Sequence, residues 1–572
     1  MSSSSKLTIN DSINEFQAPL NFFRDNELKW NGWGYIHSSF ELSPENGHFC
    51  MRSKKYADLD GKPLPGLRPW VEKNLGIDVH LRTPSISIQS LKIPLPLISN
   101  PQFLEFLRVE DIYYSDAPMT RLARSHGQTL AEITSIRTGK IGRIPDLVIW
   151  PRNEKQILKI IEGAKRFEVL LIPIGGGTCV SQALLCPEDS QKLICSVDMG
   201  MMASILKLDS KNMTATVQAD LTLSVRVCTS RGILQPRRLG QVPRLSSGPD
   251  LLQILLGSEG QMGVISEATI KMFPLPEQRC FGAIIFPGRW QPASLRLVDN
   301  AQFQMGQAMR VQESSTTSAI WQSLARIYLT RWKGFQPDQM VATTCVFEGT
   351  KEEVEAERQS LFLLASDFGG IRAPDENGQF GYRLTFAIAY LRDLALDLNV
   401  IGNFIKEFKR NLARFGGESF ETSVPWSQLI TLCKNVKTLL VHEARKYGIK
   451  QHILATCRVT QVYDSGVCVY FYYAFNYRGM DVQKAVEIYE HIESAARGEI
   501  IACGGSLSHH HGIGKIRKRW LPTTIGILGV SVMRSLRKEL DPEHLFDSGN
   551  LFETSHSLQK LKEIEEKEKS KL

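Results

Sequence analysis

The chain has 572 residues, 42% of them hydrophobic and 22% charged, with a net charge of +8. That length exceeds what one core usually supports, so two or more domains are expected. Both charge signs are interspersed and no Lys/Arg cluster carries interleaved aromatics, which sets aside a nucleic-acid binder and leaves anionic substrates or an anionic membrane surface. The 11 cysteines are odd in number and form no C-x-x-C, so they read as reduced thiols outside a secretory compartment.

The N-terminus, Met1-Ser2-Ser3-Ser4-Ser5-Lys6, lacks the apolar core of a signal peptide, and residues 1 to 140 are polar and punctuated by proline. Arg143 to Pro151 reads as a strand closed by proline. Asn153-Glu154-Lys155-Gln156 is a capping-box-like start, and Ile157, Ile160, Ile161 and Ala164 follow at helical spacing. Val169 to Ile172 is a short buried strand, followed at once by Pro173-Ile174-Gly175-Gly176-Gly177-Thr178-Cys179. Three glycines let the backbone turn tightly and approach a ligand, and free N–H groups in such a turn cradle phosphate. The spacing matches neither the Rossmann nor the Walker pattern, and a plain glycine-rich connector is the alternative. Gly257-Ser258-Glu259-Gly260-Gln261-Met262-Gly263 is a second glycine-rich turn, feeding another strand.

From 276 to 505 strands alternate with long amphipathic helices. In the aromatic strand Val467 to Tyr473, alternation puts Tyr470 with Tyr472, opposite Val469, Phe471 and Tyr473; each tyrosine fits core packing or catalysis. His509, His510 and His511 lie between Gly504-Gly505 and Gly512, and an extended segment would turn His509 and His511 to one side and His510 to the other. Zinc needs three or four converging ligands, no partner cluster is visible, and no metal is expected. Acid–base or phosphate-binding work suits imidazole, beside a structural role for at least one of the three. The apolar run Ile525 to Met533 is too short to span a bilayer. A charged tail ends in Ser570-Lys571-Leu572, the tripeptide read by the peroxisomal import receptor.

The strings IPDLVIWP, PIGGGT, GSEGQMGVI and GGSLSHHHGIGK together resemble the vanillyl-alcohol-oxidase-type flavoproteins and, within them, the alkyldihydroxyacetonephosphate synthase family. Trp30 to Tyr35, Gly417 to Ser423, Cys457 to Gln461 and Ala474 to Gly479 extend the resemblance over nearly the whole chain except about 220 to 240. It implies an α+β fold of two domains: a PCMH-type FAD-binding domain over 141–275 and an α+β substrate cap over 276–505. A mostly helical segment over 1–140 would precede them, and 506–572 would complete the active site. It places FAD at Pro173 to Cys179 and Gly257 to Gly263. No histidine lies in Gly175 to Cys179 to tether a flavin, so noncovalent FAD is expected. It makes Tyr470 the catalytic base, which would need a pKa lowered by a nearby cation or histidine. It makes His509, His510 and His511 important for activity. Arg392 would bind substrate through its planar guanidinium, against an ion pair with Asp393 or Asp397. Arg296 matches a position the family needs, although its pattern fits a structural salt bridge equally.

The implied reaction exchanges the acyl chain of acyl-dihydroxyacetone phosphate for a long-chain fatty alcohol, using FAD without net redox. This is a step of ether-lipid (plasmalogen) biosynthesis. A peroxisomal homodimer, peripherally attached to the membrane, is the expected setting. The same scaffold also supports oxidation of a small 2-hydroxy acid, or a non-catalytic paralogue. One departure stands out. In the family a long helix and a further glycine- and serine-containing loop follow the strand matching Thr214 to Ala219. Here Val217-Gln218-Ala219-Asp220 runs almost at once into Val227 to Gly232, so the FAD domain is expected to be internally truncated near 220–230. A shorter loss near Pro287 to Pro292 and extra residues from Asn403 to Arg414 are also expected.

Overall fold

The computed structural model describes residues 15–16, 23–57, 59–80, 85–218, 224–235, 248–286, 296–311, 324–387, 415–477, 479–555 and 557. Arg392, the 287–292 and 403–414 stretches, the 219–223 junction and the terminal Ser570-Lys571-Leu572 lie outside the described residues. The chain divides into two units: 1–26, 86–273 and 512–572 form one, and 27–85 with 274–511 the other. Sequence placed these boundaries at 275/276 and 505/506.

The described part of residues 1–140 is neither one unit nor mostly helical. Their 27–85 stretch belongs with the second unit, and 86–140 with the first. Ser38–Leu42, Phe49–Ser53 and Pro63–Leu64 form an antiparallel sheet. Phe40, Phe49 and Met51 pack in one cluster with Leu67, Val71 and Leu75 of the Leu67–Leu75 helix.

In the first unit the expected strand, helix and strand are Leu147–Trp150, Glu154–Phe167 and Leu170–Ile174. Asn153 caps the helix by accepting from the Gln156 amide at 3.0 Å, but the Gln156 carboxamide accepts from Arg152 N instead of closing a box. The helix buries Ile157, Ile160, Ile161 and Ala164, and Phe167 meets Phe103 with ring centroids 5.8 Å apart. The two strands are parallel, with Ile194–Asp198 between them.

The unit's other sheet runs Gly232–Leu234, Ser224–Thr229, Val264–Lys271, Thr214–Gln218, Ile205–Asp209. Thr214–Gln218 and Ser224–Thr229 are both antiparallel to the central Val264–Lys271, on its opposite edges. They therefore run in the same sense. Such a connection usually takes a crossover of about a dozen residues or more, commonly a helix. Here residues 219–223 are all that separates the two strands.

The second unit is built on a sheet ordered Ile371–Ala373, Gln278–Phe286, Val341–Gly349, Arg296–Val298, Ile453–Tyr463, Gly466–Asn476, Phe415–Pro425, with every pairing antiparallel. Val469, Phe471 and Tyr473 are buried on one face, where the Val482–Ala502 helix brings Tyr489 within 5.5 Å of the Tyr473 ring. Tyr470 and Tyr472 share the other face, stacked at 6.2 Å, as alternation requires. Among the described residues no helix is long and apolar enough to cross a membrane.

Candidate active site

The glycine turn leaves the carboxyl end of Leu170–Ile174. Gly177 has φ +66°, and a Cβ there would overlap the Arg24 guanidinium, so only glycine fits. Gly175 and Gly176 are exposed. A Cβ on Gly175 would meet nothing within 4 Å, and one on Gly176 only Thr178 at 3.8 Å. This leaves a cradle of backbone amides open on one side. Arg24 Nη2 donates to the Gly175 carbonyl at 2.6 Å. Arg124 donates to Asp198 at 2.8 Å and to Asp25 at 2.8 Å, which anchors the Arg24-Asp25 stretch beside the turn. Cys179 is pinned by its carbonyl, which accepts from Gln128 N at 2.7 Å, and burial pushes its thiol up to about 12, so it is inert.

The second glycine turn meets the first. A Cβ on Gly260 (φ +73°) would stand 3.2 Å from Pro173 Cδ, and one on Gly263 (φ +137°) would overlap the Cys228 carbonyl. Not all of this turn faces outward. Ser258 and Met262 are buried, and Gln261 Nε2 donates to Phe546 O at 2.9 Å and Ser548 Oγ at 2.7 Å. Glu259 accepts from the amides of Ile513 and Gly514; burial raises its pKa against those two bonds. The side chains of Glu259, Gln261 and Met262 therefore fasten the turn to its own unit, while glycine backbone is what this turn can offer a cofactor.

In the second unit, strand register places Arg458, Tyr470 and Glu421 side by side on one face. The Tyr470 hydroxyl lies 2.5 Å from His510 Nε2 and 3.3 Å from His511 Nε2. His509 Nε2 meets the Tyr463 hydroxyl at 2.8 Å. The histidine segment is not extended. The Glu421 carboxylate, fully buried, accepts from Ser508 Oγ at 2.7 Å and from three successive amides, His509 at 2.6 Å, His510 at 3.3 Å and His511 at 2.9 Å. Gathering consecutive amides on one acceptor curls the backbone, so His510 and His511 both reach Tyr470 and strict alternation fails. Burial opposes ionisation of Glu421, but His511 and these donors outweigh it and hold the carboxyl down at about 2. Burial lowers the His510 pKa, with Glu421 opposing.

The expected lowering of the Tyr470 pKa is not found. Burial pushes it up, and Tyr472, Cys468 and Glu421 add to the rise; the Arg458 guanidinium, 5.3 Å from the ring centroid, counters only in part. On the same face Arg296 and Arg458 help line a cavity of about 110 Å³, otherwise walled by Val298, Ala342 and Phe380 among others. Arg296 stacks 4.6 Å from the Tyr382 ring centroid, and burial lowers its pKa, with Tyr382 opposing. Glu421 and Arg458 were not singled out from sequence, although each lies in a string that carried the resemblance. The available signal was a charge inside a strand: Arg458 is the single charged residue of Ile453–Tyr463, and Glu421 is one of two in Phe415–Pro425.

Residues 145–227 match the family model described as a FAD binding domain, and 278–551 that of the FAD linked oxidases, C-terminal domain. The alkyldihydroxyacetonephosphate synthase of Caenorhabditis elegans is 43% identical over 595 residues, covering 93% of this chain and 96% of the relative. The chain belongs to the alkyldihydroxyacetonephosphate synthase family. The synthase of Dictyostelium discoideum is 24% identical over 604 residues, covering 92% of this chain and 94% of that one. Both alignments are longer than the 572-residue chain, so each relative has positions that this chain lacks. A solved alkyldihydroxyacetonephosphate synthase structure matches with a TM-score of 0.73 at 22% identity, covering 93% of this chain and 99% of that one, and shares its fold. FAD is the family's cofactor, and the first unit fits it: the open amides at Gly175 and Gly176 suit a pyrophosphate, with the Arg24 cation beside them.

Proposed function

We propose that the protein is an FAD-dependent alkylglycerone-phosphate synthase, which replaces the acyl chain of acyl-dihydroxyacetone phosphate with a long-chain fatty alcohol. The observation that carries this reading is the Tyr470 hydroxyl held on His510 and His511. When bound, FAD would supply an electron sink for the exchange of the leaving acid for the entering alcohol. The protein's own part is to move protons. Tyr470 is not a standing phenolate, because burial raises its pKa. His510, its pKa lowered by partial burial, is the group that takes the phenolic proton as Tyr470 accepts one from the carbon beside the substrate carbonyl. Glu421 holds the loop so that His510 Nε2 stays on the hydroxyl. The cationic cavity on the same face, with Arg296 and Arg458, suits a phosphorylated substrate.

A lipid substrate calls for contact with a membrane surface. In Leu521–Leu540 the backbone leaves helical geometry at Gly526 (φ +76°), and Ile525, Ile527, Leu528 and Val532 are exposed. Exposed Arg519, Arg534 and Lys538 flank them, a pairing suited to an anionic lipid surface.

The reading is tested by exchange of the substrate's C1 hydrogen with solvent in flavin-loaded protein. Exchange is expected in the parent and its loss in Tyr470→Phe. Exchange at the parent's rate in that variant refutes the role of Tyr470.

A further inference from the structure

Cys468 lies two residues before Tyr470 on Gly466–Asn476 and shares its face. Its sulfur and one ring nitrogen from each of His509 and His510 lie within 4.8 Å of one another. The Nε2 atoms of both histidines are taken by the hydroxyls of Tyr463 and Tyr470. Their Nδ1 atoms turn toward each other, 2.8 Å apart. Two imidazole lone pairs cannot face each other at that distance without a positive charge or a proton between them. The pair is also preorganised, because Glu421 holds both backbone amides. His510 is only partly buried and is the most exposed of the three histidines, which gives an ion a way in.

We propose that Cys468, His509 and His510 form a site for one borderline-soft divalent cation of the zinc class, with water as the fourth ligand. One thiolate and two imidazoles favour Zn²⁺ over Mg²⁺ and Ca²⁺, which take oxygen ligands. Tetrahedral zinc, with Zn–S about 2.3 Å and Zn–N about 2.0 Å, sets its ligand atoms about 3.3–3.6 Å apart. The histidine pair reaches that by opening slightly from 2.8 Å, with the sulfur already within 4.8 Å of the ring nitrogens. Binding forms one Zn–S and two Zn–N bonds and releases the Cys468 thiol proton to solvent. The proton between the two Nδ1 atoms moves to the Nε2 of the ring that carried it. With His510 ligated through Nδ1, its Nε2 carries hydrogen and can only donate to Tyr470. The ion then blocks the relay described above; this consequence rests on the proposed function, whereas ion binding does not.

The test uses Co²⁺ as a spectroscopic stand-in on the full-length protein, followed by displacement with Zn²⁺. The expected result is one tightly held ion per chain with a thiolate-to-cobalt charge-transfer band that Zn²⁺ abolishes. In Cys468→Ala the band should vanish and uptake weaken by about tenfold or more, and His509→Asn should weaken uptake similarly if the first variant folds poorly. No thiolate band in the parent, or parent-like uptake in the variants, overturns the proposal.

Discussion

Glu421 accepts one hydroxyl and three consecutive amides across more than 80 residues of sequence, and its charge is what keeps the histidine loop curled. Its carboxyl is depressed from 4.5 to about 2 in the folded state. A depressed carboxyl adds stability that is present above the unfolded pKa and is lost as pH falls through the folded one. Chemical denaturation between pH 4.5 and 2 is therefore expected to show a loss of stability that Glu421→Gln flattens. Tyr470→Phe removes one hydroxyl and leaves the ring. It is expected to cost about 1 kcal/mol of stability and to slow turnover by roughly a hundredfold or more, with the flavin spectrum unchanged; parent-like turnover would mark Tyr470 as packing. The acid limb of kcat/KM should lie below 6.5, the ordinary imidazole value, because burial lowers the His510 pKa. An acid limb above it would remove His510 as the proton acceptor.

At the scale of elements, the two glycine turns differ in what a side chain would meet. A β-branched residue at Gly176 finds open space in the fold itself, so Gly176→Val should keep the parent's thermal stability without cofactor and yet lose flavin retention on gel filtration. Stoichiometric flavin in that variant would reduce the turn to a connector. The exposed Ile527 and Leu528 make a second expectation: replacing both by Asp should reduce co-sedimentation with anionic vesicles while leaving turnover of a detergent-dispersed substrate intact. The strand before the turn, the Glu154–Phe167 helix and the two faces of Gly466–Asn476 were legible in sequence because their signals are local: apolar runs, helical spacing, alternation. The curl of the histidines was not, since it depends on Glu421, 88 residues from His509. Nor was Arg24, a lone arginine whose place beside Gly175 is set by a fold contact 151 residues away. The 1–140 stretch was misread because short strands such as Phe49–Ser53 are pinned by packing against a helix rather than by strong local pattern.

For the whole molecule, the short path between Thr214–Gln218 and Ser224–Thr229 is the feature that bears most on activity. In the same sheet Ile205, Leu206 and Leu208 of the edge strand Ile205–Asp209 are exposed. The first unit should therefore depend on its cofactor. By linkage, FAD at a hundred times its Kd adds about 2.7 kcal/mol of stability to a protein that binds it only when folded. Thermal melts with and without FAD should separate accordingly, and coincident melts would mean that the shortened domain holds no flavin. The most direct test of the account is to give flavin-loaded, full-length protein acyl-dihydroxyacetone phosphate and an isotopically labelled long-chain alcohol. The account predicts labelled alkyl ether and free fatty acid in equal amounts, with no hydrogen peroxide. Flavin-loaded protein that forms no ether, or that produces peroxide from a 2-hydroxy acid instead, would contradict it.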